Sequence, residues 1–298
     1  MALYRIAGYL FEMIFDTSFL KKKSSELLPG FSLFRIDKEE ADEKLLLRFE
    51  TGTPLRNWTL EPQYRFTFEE FDCAFSKDEN TYLFRMALPE NNIPWLVEIH
   101  RESATFRAHS NLNVFMPDYI LRYFLWLVFC VAALSRQIVS IHSSVVMHQG
   151  KSVLFLGESG TGKSTHSQLW LNHIPNTELL NDDSPFLRVE ADGNIQVYGS
   201  PWSGKTPCYK NMHTPVTAFV RLSQAPYNRI RRLTGIEAIA ALLPSCPLTF
   251  AYDKQLSESI YSVLSRALLQ APVYHLECLP DADAALLVYE TLKEEKRL

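Results

Sequence analysis

Cysteine is scarce in this 298-residue chain, and what there is lies scattered: Cys73, Cys130, Cys208, Cys246 and Cys278. No C-x-x-C pair and no histidine at zinc spacing accompanies them, which excludes a disulfide framework or a cysteine zinc site and fits a reducing compartment. The N-terminal Met1-Ala2-Leu3-Tyr4-Arg5 lacks a basic region followed by an apolar core and a cleavage site, so a cytoplasmic location is expected. No basic run exceeds Lys21-Lys22-Lys23 and the formal net charge is −4, which leaves no electrostatic ground for nucleic acid or an anionic membrane as partner. Long apolar runs are missing too. The longest, Phe124 to Leu134, is bounded by Arg122 and Arg136, whereas a membrane span needs roughly 20 residues; a helix buried between two layers is expected there. No internal repeat or low-complexity tract is present, and no N-K-x-D or Leu-Ser-Gly-Gly-Gln segment that would mark a GTPase or a transporter ATPase.

What is present divides the chain in two. Residues 1–115 alternate apolar and polar side chains in short runs, Tyr4–Met13, Phe31–Ile36, Leu45–Phe49, Tyr64–Phe68, Tyr82–Met86, Trp95–His100 and Ala104–His109, separated by turn clusters. This pattern predicts a β-rich N-terminal domain, an antiparallel sheet or a sandwich. Residues 116–298 mix helical and strand patterns and form the second expected domain. Its helices are predicted at Gly235–Leu243, Lys254–Leu269 and Asp281–Glu294, the last with Asp281 as N-cap.

One stretch of the second domain carries chemistry. Gly157-Glu158-Ser159-Gly160-Thr161-Gly162-Lys163-Ser164-Thr165 follows the apolar run Lys151–Leu156 and precedes a segment able to continue as a helix. Gly157, four intervening residues and Gly162-Lys163-Ser164 match the phosphate-binding loop pattern in the strand–loop–helix setting it requires. Glycine lets the backbone take positive φ and approach a polyphosphate closely. Successive N–H groups and the helix N-terminus then make a nest of positive potential. Lys163 is expected on the β- and γ-phosphates and the Ser164 hydroxyl on Mg²⁺, so ATP and Mg²⁺ are the expected ligands. The loop is reached through a hairpin, since the strand-like run Ile138–Met147 turns at His148-Gln149-Gly150-Lys151.

A nucleotide site also needs carboxylates. Asp182 and Asp183 end a short apolar run 19 and 20 residues after Lys163, room for one helix and a return strand that would bring them beside the phosphates. One can hold Mg²⁺, taken here as Asp183 with Ser164, while the other accepts a proton; which of the two is the base stays open. His142, on the strand before the hairpin, is a further catalytic candidate. The loop Pro201-Trp202-Ser203-Gly204-Lys205 is a candidate substrate element through Trp202, Ser203 and Lys205.

Taken together, His142, the loop 157–165 and the Asp182-Asp183 pair resemble the HPr kinase/phosphorylase family, whose fold is related to ATP-dependent phosphoenolpyruvate carboxykinase. The similarity spans roughly residues 138–210 and leaves out residues 1–115. It implies an α+β fold with a mixed, largely antiparallel kinase core. It also implies phosphate binding by Lys163, metal binding by Ser164, a base among the paired aspartates and assistance in proton transfer from His142. A neutral Gln196 stands where the family has a metal-holding glutamate, and the family's phosphorylase segment has no counterpart here.

The resemblance points to a Mg-ATP-dependent kinase acting on a hydroxyl, of serine type, in a protein, peptide or small molecule, and to a possible homo-oligomer. The alternatives are a phosphoenolpyruvate carboxykinase-like enzyme and a non-catalytic ATP-sensing module.

Overall fold

Ala7 and Gly8, at φ 47° and 80°, fold the first apolar run back on itself. What reads in sequence as one strand is therefore a hairpin, β1 (Ala2–Ile6) and β2 (Tyr9–Ile14), closed by the pair Ile6–Tyr9. The computed structural model describes residues 1–16, 28–37, 45–52, 55, 59–68, 70–90, 94–102, 104–112, 118–204 and 206–298. The chain divides into two units, Met1–Ala133 and Leu134–Leu298.

In the first unit follow β3 (Arg35–Ile36), β4 (Leu45–Thr51), β5 (Tyr64–Phe68), β6 (Phe71–Lys77), β7 (Thr81–Ala87), β8 (Trp95–Glu102) and β9 (Thr105–Ser110). Among the described residues they make one nine-stranded sheet in the order β3-β1-β2-β4-β9-β8-β7-β6-β5. All neighbours are antiparallel except β2–β4 and β4–β9. Two local expectations fail. Phe31–Phe34 is a turn of 3₁₀ helix, not strand, with Phe31 and Phe34 buried. β6, unforeseen, puts Cys73, Ala74, Phe75 and Ser76 consecutively into the interior, so it lacks the alternation that announces a strand. Lys21-Lys22-Lys23 lies outside the described residues.

The apolar run forms α1 (Asp118–Leu134), buried nearly all round from Ile120 onward. Phe129 meets Phe11 at 5.8 Å, Tyr123 stacks on Phe68 at 4.5 Å and Tyr119 lies 5.9 Å from Phe71. These rings tie the helix to the sheet that precedes it, so α1 up to Ala133 belongs to the first unit, whereas the sequence pattern places it in the second expected domain, from residue 116. No helix among the described residues is long and apolar enough to cross a membrane.

The second unit runs β10 (Ile138–Ser140), β11 (Ser143–His148), β12 (Lys151–Leu156), α2 (Lys163–His173), β13 (Thr177–Asp183), β14 (Phe186–Val189), β15 (Ile195–Tyr198), β16 (His213–Gln224), β17 (Arg229–Leu233), α3 (Gly235–Leu242), α4 (Lys254–Gln270), β18 (Val273–Cys278) and α5 (Ala282–Glu294). Its strands join in the order β10-β14-β15-β16-β12-β11-β13, with β18 paired to β16 and β17 to β18. Among the described residues only β12–β16 and β16–β18 are parallel, so this is a mixed α+β unit with a largely antiparallel sheet.

Helices cover the sheet. β12 reads as a continuous apolar run because Val153 to Leu156 are fully buried, as befits a strand covered on both faces. Trp170 and Ile174 of α2 and Val288 and Leu292 of α5 share one core with Val153, Phe155, Val220 and Leu276. Truncating a buried Trp such as Trp170 typically costs about 3–5 kcal/mol. Asp253 and Asp281 cap α4 and α5 by accepting from the N–H of Leu256 and Ala284, each cap contributing about 1 kcal/mol.

Candidate functional site

The β11–β12 hairpin turns on Gln149 and Gly150, both at positive φ (50° and 79°), and delivers Leu156 to the edge of the core where the glycine-rich loop begins. Gly157, at φ 152°, has no room for a side chain, because an added Cβ would overlap Thr161 Oγ1. Gly160 and Gly162 follow at φ 82° and 101°, with open space where a Cβ would stand. The loop closes on its own lysine. Lys163 Nζ donates to Gly157 O at 2.9 Å and Glu158 O at 3.0 Å, and Thr161 Oγ1 donates to Glu158 O at 2.9 Å.

Lys163 opens α2, whose first N–H groups have no intrahelical partner and point toward the loop. Burial holds the Lys163 ammonium below its ordinary pKa, against the opposing pull of Asp183 and Asp182. The buried residues Lys163, His166, Ser167 and Trp170 form the inner face of α2. Ser167 Oγ donates to Ser144 Oγ at 2.6 Å and pins the helix to β11.

β13 returns antiparallel to β11, but a bulge sits at Leu180: Val145 pairs with Asn181 while Val146 pairs with Leu179. A bulge re-aims the residues beyond it. Here it buries Asn181 and Asp182 in succession and sets Asp182 opposite Ser144 and Asp183 opposite Ser143. Ser164 Oγ donates to Asp182 Oδ1 at 3.0 Å. His142 Nδ1 lies 3.2 Å from Asp183 Oδ1, and Ser184 Oγ donates to Asp183 Oδ2 at 2.8 Å. Ser164 is expected beside Asp183; the bulge gives it Asp182 instead.

Asp183 carries φ 135°, a backbone region that side chains rarely adopt. Such a residue costs about 1–3 kcal/mol and persists where its surroundings over-determine it. Burial alone would push its carboxyl up. The hydrogen bond and charge of His142, the Ser184 hydroxyl and Lys163 outweigh that and hold it below the usual carboxylate range.

The loop after β15 lies against this pair through its backbone. Gly204 N donates to Asp182 O at 2.7 Å, Ser203 bridges to Asp183, and a Cβ on Gly204 would stand 3.2 Å from Asp183 Cβ. Trp202 is buried edge-on to Phe186. Ser203 Oγ donates to Thr206 O at 2.6 Å, lies 3.1 Å from Asp182 O and accepts from Cys208 N, so both side chains brace the loop. Lys205 lies outside the described residues.

Asn181, not among the expected site residues, is the hub of this bracing. Its Nδ2 donates to the carbonyls of Ser200, Trp202 and Cys208 at 3.3, 3.1 and 3.2 Å, and its Oδ1 accepts from Ser184 N at 3.0 Å. A buried asparagine must spend its amide this way, and an Asn directly before two acids was the available signal.

Among the described residues no group of three or more His, Cys, Asp and Glu side chains is arranged to hold a metal ion. Ser164 and Asp182 nevertheless offer two hard oxygen donors side by side, the protein share that Mg²⁺ takes when phosphates and water complete its shell. Beside the loop, a cleft of about 570 Å³ opens between Gly160–Gly162, Thr165, His166 and Leu169 on one side and Leu222, Gln224, Ala225 and Cys278–Pro280 on the other.

No family model and no curated protein matches the chain. Among solved structures it is similar to the Hpr(Ser) kinase/phosphatase from Coxiella burnetii, at 16% identity over 53% of this chain and 95% of that one, with a TM-score of 0.29.

Proposed function

We propose that this chain is a Mg-ATP-dependent kinase that transfers the γ-phosphoryl group to a hydroxyl, of serine type, on a protein, peptide or small-molecule acceptor. The observation that carries the reading is the convergence of three pairs at one loop: Lys163 with the loop carbonyls, Ser164 with Asp182, and Asp183 with His142. Glycines at positive φ followed by a helix N-terminus supply the amide cradle a polyphosphate needs. The cleft between α2 and the ends of β16 and β18 has room for a nucleoside.

The roles divide by geometry. Ser164 and Asp182 would hold Mg²⁺, which when bound neutralises the charge on the β- and γ-phosphates. Asp183 stays ionised at neutral pH because His142, Ser184 and Lys163 favour its charged form. Its carboxylate oxygens keep lone pairs beyond those taken by His142 and Ser184, so it can accept the acceptor's hydroxyl proton. His142 orients that carboxylate. Lys163, drawn to the loop carbonyls here, is the mobile point charge for the transferred group. Catalysis of this kind is positioning and electrostatics rather than covalent chemistry.

Incubation with γ-labelled ATP and a fractionated extract of the source cell tests the reading. A labelled acceptor that disappears with Lys163→Ala and with Asp183→Asn supports it. Equal labelling by both variants, each folded by circular dichroism, sinks it.

A further inference from the structure

Six residues stand in register across six strands of the second unit: Asp183 on β13, Ser143 on β11, Leu156 on β12, Arg221 on β16, His275 on β18 and Arg231 on β17. The glycine-rich loop leaves from the middle of this row, directly after Leu156. One flank is acidic, two strands away at Asp183. The other flank is basic and begins on the very next strand, at Arg221.

The charges on the basic flank are not equally engaged. Arg231 is held by Glu237 at 3.1 Å, Arg229 by Glu277, and Arg232 lies 3.6 Å from Glu295. His275 shares a hydrogen bond with Ser223 at 2.9 Å. Arg221 is different. Its Nη1 donates to Ala241 O at 3.1 Å, which anchors the guanidinium, but its Nη2 comes no nearer than 4.0 Å to Glu158 Oε1, and the Glu158 side chain is 84% exposed. A guanidinium carries five N–H donors in a rigid fork. Arg221 therefore has donors to spare, and it lines a cleft of about 420 Å³ whose other walls are Glu158–Thr161 of the loop, Ser223, Gln224 and His275. Arg221 also lies close enough to Lys163 to oppose its positive charge, an arrangement that an anion between them relieves.

We propose that this cleft is an anion subsite anchored by Arg221, that it takes the diphosphate end of the nucleotide, and that Glu158 is the counter-ion the nucleotide displaces. The proposal rests on the kinase reading and adds to it the residue that meets the leaving group. In the transfer, the bond from the γ-phosphorus to its bridging oxygen breaks with both electrons going to that oxygen. The bond from the acceptor oxygen forms on the opposite side, and the acceptor's proton goes to Asp183. Negative charge then grows on the β-phosphate, away from the acidic flank, where a planar fork of donors can take it bidentately. Lysine would supply charge without the fork.

Titration calorimetry with Mg-ADP on the full chain tests this. Arg221→Met is expected to weaken Mg-ADP binding at least about tenfold, the worth of a charge-assisted hydrogen-bond pair, and Arg221→Lys to fall between it and the wild type. Glu158→Gln is expected to tighten binding, and that gain is expected to vanish in the Glu158→Gln, Arg221→Met double variant. Arg221 braces α3 through Ala241, but a purely structural role would leave the Glu158→Gln gain intact in the Arg221→Met background. The proposal is overturned if Arg221→Met or Arg221→Lys binds Mg-ADP like the wild type, or if Glu158→Gln fails to tighten it. Failure of the wild type itself to bind Mg-ADP would instead remove the kinase reading beneath it.

Discussion

His142 Nδ1 meets Asp183 Oδ1 at 3.2 Å, and a backbone constraint holds each side of the contact. Asp183 ends the bulged strand β13 at φ 135°, and His142 N donates to Ser245 O at 2.6 Å. Two long constraints thus serve one short contact. The partner of that contact sets when Asp183 gains its proton. Asp183 is held low, so its pairing contributes stability that is present above the ordinary carboxylate pKa and is lost as pH falls through the lower folded value.

The first prediction concerns this pair. In His142→Asn the strongest influence favouring the charged carboxylate is gone while burial remains, so the pKa of Asp183 rises. The acid limb of the rate profile is expected to move to higher pH, with little change at its plateau. A profile measured from about pH 3 to 8 checks it. An unmoved limb would mean that Asp183 is not the base.

A second prediction separates metal from base. Ser164 touches Asp182 and not Asp183. Ser164→Ala removes one oxygen donor from the Mg²⁺ side, and the exposed Ser164 bears little of the core. The Mg²⁺ concentration for half-maximal activity is expected to rise by about tenfold, within the range seen when supporting groups around metals are lost, with the thermal midpoint unchanged. The same titration on Asp183→Asn should show a lower rate at an unchanged Mg²⁺ requirement.

Glycine supplies a third. Gly157→Ala forces a Cβ onto Thr161 Oγ1 at φ 152°, so the loop must rearrange and nucleotide binding is expected to fail. In Gly204→Ala the new Cβ would stand 3.2 Å from Asp183 Cβ and 3.4 Å from Asp182 O. That displaces the acids and leaves the loop alone, so turnover should fall while Mg-ADP affinity holds. Calorimetry beside a rate assay distinguishes the two. Identical behaviour of the two variants would contradict the division of the site into a binding loop and an acid flank.

Much of this was legible in the residues, for reasons that are local. The hairpin His148-Gln149-Gly150-Lys151 and strands such as Phe186–Val189 and Val273–Cys278 lie where turn residues and apolar runs put them. Asp281 caps α5 because an acid before a helical pattern accepts the free N–H groups. What could not be seen depends on register. The bulge at Leu180 decides which aspartate reaches Ser164, and nothing in Leu179-Leu180-Asn181 announces it. Arg221 joins the site only because β16 lies parallel beside β12, a pairing set by tertiary packing. In the first unit the same limit hid β6, whose interior residues follow one another instead of alternating.

The last prediction uses a residue that the site does not need charged. His166 is buried on the inner face of α2, edge-on to Phe155 at 4.6 Å, and its Nε2 has no hydrogen-bond partner. Burial pushes its pKa down from 6.5 to about 4, against a weak opposite pull from Asp281. A base held neutral in the fold takes up a proton only on unfolding over that interval. Stability is therefore expected to fall as pH drops from 6.5 toward 4, and to lose no more from this source below that. At pH 5 the loss amounts to about 2 kcal/mol relative to neutral pH. His166→Phe keeps an aromatic ring against Phe155 and removes the titration, so its urea midpoint should vary less between pH 7 and pH 5 than that of the wild type. Equal pH dependence in both proteins would show that acid unfolding begins elsewhere, with Asp183 and its partners the next group to test.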